Sequence, residues 1–576
     1  MKKNLLSKIL AIGLLLLFIG ASISGIGAAI NVKKIAGGMQ RGWTTTEVVS
    51  TESSSASSFP SVVVDSVGMV HVAWRDLTDY GGSGTDFDIF YKYRDNSGVW
   101  STTEVVSTVS TEESRSPSLA LDSSGTIHVA WRDDTNYGGS GTDKDIFYNC
   151  RDATGVWSTT EVVSTESAED SHTPSLDVES DGTVHVAWRD NTNYGGAGSD
   201  HDIFYKYRSN AGTWSATEVV STESTSDSDN PSLAVENDGT VHVAWDDMTD
   251  YSSSGTDFDI FYKYKSTGVW STTEVVSTES TQDSFWPSLK VDSDKNIHVI
   301  WDDWTDYGGA GVDEDIFYKV KTSSGWSATE VVSTESTEIS YQSSLDVDSS
   351  YVHVAWKDST VYGGSGVDAD IFYKYKSTGV WSATEVVSTE STAQSEWPSL
   401  NIDTVGTVHV AWGDFTDYSG SDNDIDVFYK NNSAGGGFSD LYCDGSLSWT
   451  DVKPGELVTG TFTVENIGAT GSLLDWEIID WPTWGTWTFS PSSGNDLKPS
   501  HGTVDIYVEV RAPNQKNQQF TGEVRVSNKD DATDYCIIDV SLATPKNKAF
   551  NTNPLFLQFL EQHPHMFPIL RQLLEL

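Results

Sequence analysis

The chain has 576 residues, with 84 Asp plus Glu against 35 Lys plus Arg, a formal charge of −49. That charge disfavours a nucleic-acid binder, which needs a basic footprint to displace phosphate counterions, and it also disfavours charge-driven docking on anionic lipid. Aromatic residues make up 11%, with 22 Trp, which separates the chain from disordered compositions. Three Cys exclude both a disulfide-dense scaffold and a zinc cluster.

Lys2, Lys3 and Lys8 precede an apolar run from Ile9 to Ile23, followed by Gly25, Gly27, Ala28 and Ala29. Residues 1–28 therefore read as a secretory signal, cleaved after Gly27 or Ala28, with an uncleaved N-terminal anchor as the alternative. Either places the remainder outside the cytosol, extracellular or associated with the cell surface.

From Trp43 onward the chain repeats itself. A motif of the form W-S-x-T-E-V-V-S begins at Trp43, Trp100, Trp157, Trp214, Trp270, Trp326 and Trp381, at spacings of 57, 57, 57, 56, 56 and 55. P-S-L or a variant begins at Pro60, H-V-A-W or close to it at His71, and D-I-F-Y, or D-V-F-Y in the last copy, at Asp88; each occurs seven times. All four alternate or are rich in β-branched and aromatic residues, and turn chemistry separates them, as in S-D-G-T at Ser180–Thr183. Four antiparallel strands per unit at this period predict propeller blades, so the expected fold is all-β, a seven-bladed β-propeller over residues 43–438. The first copy opens with the outer strand and the last copy lacks one. Residues 43–50 are therefore expected to complete the seventh blade.

The run D-I-F-Y-K-Y-R-S-N-A-G-T-W-S from Asp202 to Ser215, with V-H-V-A-W-R-D from Val184, resembles the sialidase-type (BNR or Asp-box) repeat. The resemblance spans about 400 residues and implies propeller architecture. It departs from the family pattern where Ala211 stands in place of the Asp-box aspartate, and in repeat number, since sialidases resemble six-bladed propellers. Sialidase activity would call for an arginine triad, a Tyr–Glu nucleophile pair and an acid–base Asp. Arg75, Arg132 and Arg189 occupy equivalent places in the first three copies, where later copies carry Asp246, Asp302, Lys357 and Gly413. Blade spacing of roughly 10 Å is wide for three guanidiniums on one carboxylate. No catalytic set is recognisable, and the expectation is a binder rather than an enzyme.

The same spacing excludes the seven H-V-A-W histidines from sharing one metal, and they read as packing groups between blades. The acidic Gly-rich loop from Arg132 to Asp145 offers Asp133, Asp143 and Asp145 as hard oxygen ligands for calcium. The competing reading is Asx-turn capping.

Copies differ chiefly in three places: before P-S-L (Ser58-Phe59, Arg115-Ser116, Phe285-Trp286), after W-R-D (Leu77, Trp304, Phe415) and before D-I-F-Y (Phe87, Lys144, Phe258). In a four-stranded antiparallel blade these gather on one face. Trp286, Trp304, Tyr341 and Trp397 cluster in copies five to seven and suit stacking on sugar rings or burial in a protein partner. Loop drift is the bland alternative.

The repeat stops at the Gly/Ser/Asn run Asn431–Gly437. Residues 440–545 carry short strands with turn clusters and are expected to form an Ig-like β-sandwich, similar to accessory domains of archaeal and bacterial surface proteins. Cys443 and Cys536, near its two ends, are expected to pair, leaving Cys150 free. Residues 551–576 form an interrupted amphipathic tail, broken by Pro564 and Pro568, suited to a partner or a membrane surface but too short to span. The expected whole is a monomeric, exported, surface-associated protein that binds a glycan, glycoprotein or surface polymer. The alternatives are a sialidase-type hydrolase and a structural spacer.

Overall fold

The computed structural model describes residues 43–419, 421, 424–432, 441–468, 473–529 and 534–545, with isolated positions at 558 and 562. The signal segment 1–28, most of the linker and, apart from those two positions, the tail 551–576 lie outside the described residues. The architecture is all-β, with a short 3-10 turn at Pro499–His501. The chain divides into two compact units, one of which is Gln40–Ala434.

The repeated unit consists of antiparallel sheets of four principal strands. The first holds Ser57–Val64, Val70–Asp76, Asp88–Arg94 and the two-residue Glu104–Val105. The W-S-x-T-E-V-V-S motif forms only a short outer strand, with its Trp bridged separately to the third strand. The seventh sheet takes its outer strand from the start of the repeat: Glu47↔Tyr429 and Val48↔Phe428 are antiparallel partners. This is the completion expected from the offset of the motifs.

First strands pack side by side from sheet to sheet, and that of the seventh sheet, Ser395–Ile402, packs beside that of the first. The P-S-L serine explains how. Its hydroxyl accepts the main-chain N–H two residues after the equivalent proline of the next sheet, as in Leu119 N to Ser61 Oγ (3.1 Å) and Leu176 N to Ser118 Oγ (3.0 Å). Val62 N to Ser399 Oγ (3.0 Å) links the seventh sheet back to the first. A strand edge that would otherwise stand unpaired is satisfied by a side chain.

Outside that inner row, a lysine of the third strand reaches into the previous sheet's outer segment. Lys92 Nζ donates to Val49 O (2.9 Å) and Thr51 Oγ1 (2.6 Å) and pairs with Glu52. Trp100 Nε1 donates to Glu47 Oε2 (2.8 Å), and Trp43 Nε1 donates to Glu385 Oε2 (2.9 Å). In the second sheet Asn149 replaces the lysine. Each histidine bonds to a tyrosine of its own sheet: His71 Nδ1 meets Tyr91 Oη at 2.7 Å, and the other six pairs lie at 2.6–2.8 Å. Tyr91 in turn meets Trp157 of the next sheet edge-on at 5.4 Å, so the pair stands where two sheets pack, as expected from sequence.

In the C-terminal unit, a four-stranded and a five-stranded sheet share one core that includes Phe462, Val464, Trp476 and Ile538. A disulfide joins Cys443 to Cys536, and Cys150 is free.

Val49 is fully buried against Val72, Trp74 and Tyr429, where residues near the start of the repeat meet its last sheet. Val49→Asp is expected to destabilise the repeated unit by ~3–5 kcal/mol through an unpaired core charge, while the exposed Val67→Asp stays within about 0.5 kcal/mol. Chemical denaturation of both variants measures the difference.

Candidate functional site

One aspartate per sheet organises the loops that carry the variable residues. Asp76 is fully buried. Its Oδ2 accepts from Trp74 Nε1 (2.8 Å) and Ser57 Oγ (2.7 Å), and its Oδ1 from Thr78 N (2.9 Å) and Ser53 Oγ (3.0 Å). Asp133 is the equivalent residue, with donors Trp131, Ser114, Thr135 and Ser110. This member of the sequence-derived calcium set thus has both oxygens on four protein donors. Asp143 and Asp145 differ, since each keeps one buried carboxylate oxygen without a partner.

Just beyond the anchoring aspartate's serine, each first strand shifts register, and the residue before the P-S-L position turns left-handed. Phe59, Ser116, Thr173, Asn230, Trp286, Gln342 and Trp397 all have φ between 45° and 57°. A non-glycine residue pays for this conformation, and its recurrence in all seven copies marks a built bulge that re-aims side chains.

The bulges assemble a row of stacked groups. Trp397 stacks on Phe59 at 4.1 Å between ring centroids, with the planes 23° apart. The Arg75 guanidinium lies 4.2 Å from the Phe59 centroid and 4.7 Å from that of Phe87, and the Arg115 guanidinium lies 4.9 Å from Phe87. The row Trp397–Phe59–Arg75–Phe87–Arg115 crosses the seventh, first and second sheets, and all five side chains are half-buried. Gly413 makes room for it: a Cβ there would stand 2.9 Å from Ile425 Cδ1 and 3.3 Å from Trp397 Cε3. Arg75 Nε donates to Ser58 Oγ (2.8 Å), and among the described residues no carboxylate pairs with Arg75. Burial, with the charges of Arg115 and Arg132, holds its pKa down at about 10.

The three sequence-derived arginines do not act as a triad. Arg132 pairs with Asp134 (3.2 Å) and Glu113 (3.6 Å), and Arg189 with Asp229 (2.8 Å), which also meets His201 Nδ1 (3.0 Å). Nε of Arg132 and of Arg189 is buried without a partner. His172, between these cations, is pushed down to about 3 by burial and by Arg189, Arg132 and Lys144.

The four aromatics singled out from sequence fall into separate places. Trp397 belongs to the row. Trp286 (42% exposed) and Trp304 (38% exposed) are open to solvent, and no ring contact among the described residues joins them to each other or to Tyr341. The Trp286 N–H donates to Asp246 Oδ1 (3.2 Å), and Tyr341 lies against Lys357, which pairs with Glu396 (2.6 Å). Around Trp304, burial pushes Glu314 up to about 7 despite a hydrogen bond from the indole, and Asp302, beside Glu314, stands well above the usual carboxylate range because it is buried.

Sequence reasoning placed Phe59, Phe87 and Arg115 among the variable positions without selecting them. Their signal was the alternation of aromatic and basic residues across neighbouring copies, which only adjacency of the first, second and seventh sheets makes meaningful. It passed over a second aromatic surface altogether. In the C-terminal unit a cavity of about 790 Å³ is lined by Trp481, Trp484 and Pro482 with Asp480, Glu523 and Asp539.

No family model matches the chain, and no curated protein matches it in sequence. Among solved structures it is similar to a PL25 ulvan lyase bound to -[GlcA(1-4)Rha3S]- (11% identity, 65% of this chain and 94% of that one, TM-score 0.45). It is also similar to a Hadza microbial sialidase (12% identity, 61% and 74%, TM-score 0.35). A third similar structure is the Penicillium chrysogenum alpha-L-arabinanase complexed with arabinobiose (13% identity, 55% and 94%, TM-score 0.37).

Asp246 supplies a pH test of the variable face. Burial, followed by the charge of Asp229, raises its carboxyl to about 7. A raised acid is protonated when folded and ionised when unfolded between the ordinary carboxylate range and pH 7. Its contribution is therefore complete below about pH 4 and lost as pH rises to about 7. Asp246→Asn, which keeps an acceptor for the Trp286 N–H, is expected to flatten the fall in melting temperature across that window. Thermal melts of both proteins at a series of pH values check it.

Proposed function

We propose that the seven repeated sheets close into a propeller and that this chain is an exported, surface-associated protein whose variable face binds an acidic glycan or surface polymer. The cyclic order of first-strand contacts, the Ser399–Val62 link and the outer strand supplied by Glu47–Val48 support closure. We further read the C-terminal pair of sheets as an Ig-like module that spaces or attaches the propeller. The basic-then-apolar N-terminal sequence supports export.

The observation that carries the ligand class is Arg75. It is a guanidinium held between two aromatic rings, next to two more arginines, with no carboxylate paired to it among the described residues, in a chain of net charge −49. A cation so placed is held for an anion from outside, and the flanking rings offer apolar faces for sugar C–H groups. A uronate carboxylate or a sulfate ester fits that chemistry. Trp286 and Trp304 extend the face with open indoles.

A glycan array of sulfated and uronic polymers, with desulfated and carboxyl-reduced counterparts, tests this with the full chain at physiological ionic strength. Binding is expected only to the acidic members. Arg75→Ala and Phe87→Ala are each expected to weaken it by about tenfold or more, and Trp481→Ala in the C-terminal unit is expected to leave it unchanged. A blank array, or binding to neutral polymers that Arg75→Ala does not change, overturns the reading. A catalytic reading has one observation in its favour, the raised Glu314 beside Asp302 and Trp304. It requires new chain ends on the bound polymers and their loss in Glu314→Gln.

A further inference from the structure

The D-x-D pair that opens each third strand is built in a way that the capping aspartates are not. Asp88, Asp145, Asp259 and Asp315 are 1–2% exposed. Each uses Oδ1 to accept a serine hydroxyl from the outer segment: Ser107 (2.7 Å), Ser164 (2.6 Å), Ser277 (2.6 Å) and Ser333 (2.5 Å). Each leaves Oδ2 buried and without a partner. In the first two sheets the preceding carboxylate repeats the pattern, with Asp86 Oδ2 and Asp143 Oδ2 also buried and unpartnered. The charge of Asp86 bears on Asp88 and that of Asp143 on Asp145, so the two carboxylates of each pair lie near one another.

No lysine, arginine or histidine pairs with any of these six carboxylates among the described residues. Ser83 and Ser140 also bear on Asp88 and Asp145, though in each case the hydroxyl lies within reach of a carbonyl, Thr78 O or Thr135 O (both 3.0 Å). The glycines of the loop let the first carboxylate fold inward. A Cβ on Gly141 (φ 105°) would stand 2.5 Å from Asp143 Oδ1, and one on Gly84 (φ 112°) would stand 2.8 Å from Asp86 Oδ1. A buried carboxylate with no cation and one oxygen left without a donor is costly, and its recurrence at one position of the repeat makes it a feature of the design.

We propose that the pairs Asp86–Asp88 and Asp143–Asp145 each hold a calcium ion, which links the Gly-rich loop to the head of the third strand. Hard oxygen ligands on a flexible, glycine-rich loop suit calcium better than the rigid octahedron of magnesium. No three acidic, histidine or cysteine side chains converge among the described residues. Main-chain carbonyls of the loop and water therefore complete each shell. Asp133, which the sequence suggested as a third ligand, is outside it, being saturated by its own four donors.

The test is calorimetric titration of the full chain with calcium chloride after chelator treatment and removal, with magnesium chloride as comparison, followed by thermal melts. About two tight calcium equivalents and a melting rise of about 5–10 °C are expected. Asp88→Asn with Asp145→Asn places an amide where each orphaned oxygen stood. It is expected to raise the melting temperature of the calcium-free protein and abolish both equivalents. Asp86→Asn with Asp143→Asn, further from the sheet interior, is expected to lose the same equivalents if the first variant fails to fold. Asp95→Asn with Asp152→Asn, on exposed turns, controls for screening of the net charge. No tight calcium binding, or a calcium-induced rise of equal size in the D-x-D variants, overturns the proposal.

Discussion

The buried aspartate that closes each second strand is the constraint on which the repeated unit depends. Asp76 and its counterparts are removed from water, and burying a carboxylate is costly unless it is hydrogen-bonded. Its four donors come from a Trp on its own strand, a Ser that opens the first strand, and a Thr and a Ser in the two adjoining connections. One side chain therefore fixes the two loops on the variable face relative to both strands. Removing it would leave several donors unsatisfied at once, which is why these residues repeat while their neighbours change.

That anchoring licenses variation a few residues away. The left-handed bulge at Phe59, Trp286, Trp397 and their equivalents follows directly on the serine that the aspartate holds. Because the backbone there is over-determined, the residue at the bulge is free to be Ser, Asn, Phe or Trp. Neighbouring sheets then combine their choices, and Phe59 and Trp397, more than three hundred residues apart, stack because the first and seventh first strands are adjacent. The face is thus composed by pairs of sheets, with one half rich in guanidinium and aromatic groups and another carrying raised carboxyls at Asp246, Asp302 and Glu314.

Electrostatics ties these parts together. The chain carries a large negative charge, yet its cations are not spread evenly. Third-strand lysines and arginines are spent on inter-sheet clasps to Glu47, Glu52 and their equivalents. What remains for the variable face is concentrated in the first three sheets, where among the described residues no carboxylate pairs with Arg75. The C-terminal unit solves a different problem, with its own core and a disulfide between Cys443 and Cys536.

Much of this was legible in the residues themselves. The period, the four strands per unit and the offset that leaves the seventh sheet to be completed by residues near Trp43 follow from motif order, because alternation and turn chemistry are local properties. The pairing of Cys443 with Cys536 was also readable from position. What tertiary structure alone decided is which side chains meet. Sequence variation pointed to Trp286, Trp304, Tyr341 and Trp397 as a group, but only Trp397 joins a continuous surface, since Gly413 clears its place and Phe59 lies across the seam. Likewise Asp133, Asp143 and Asp145 look equivalent as acids in one loop. Four buried donors claim the first and none claims the inner oxygens of the others, a difference set by hydrogen-bond partners that arrive from segments a strand or more away.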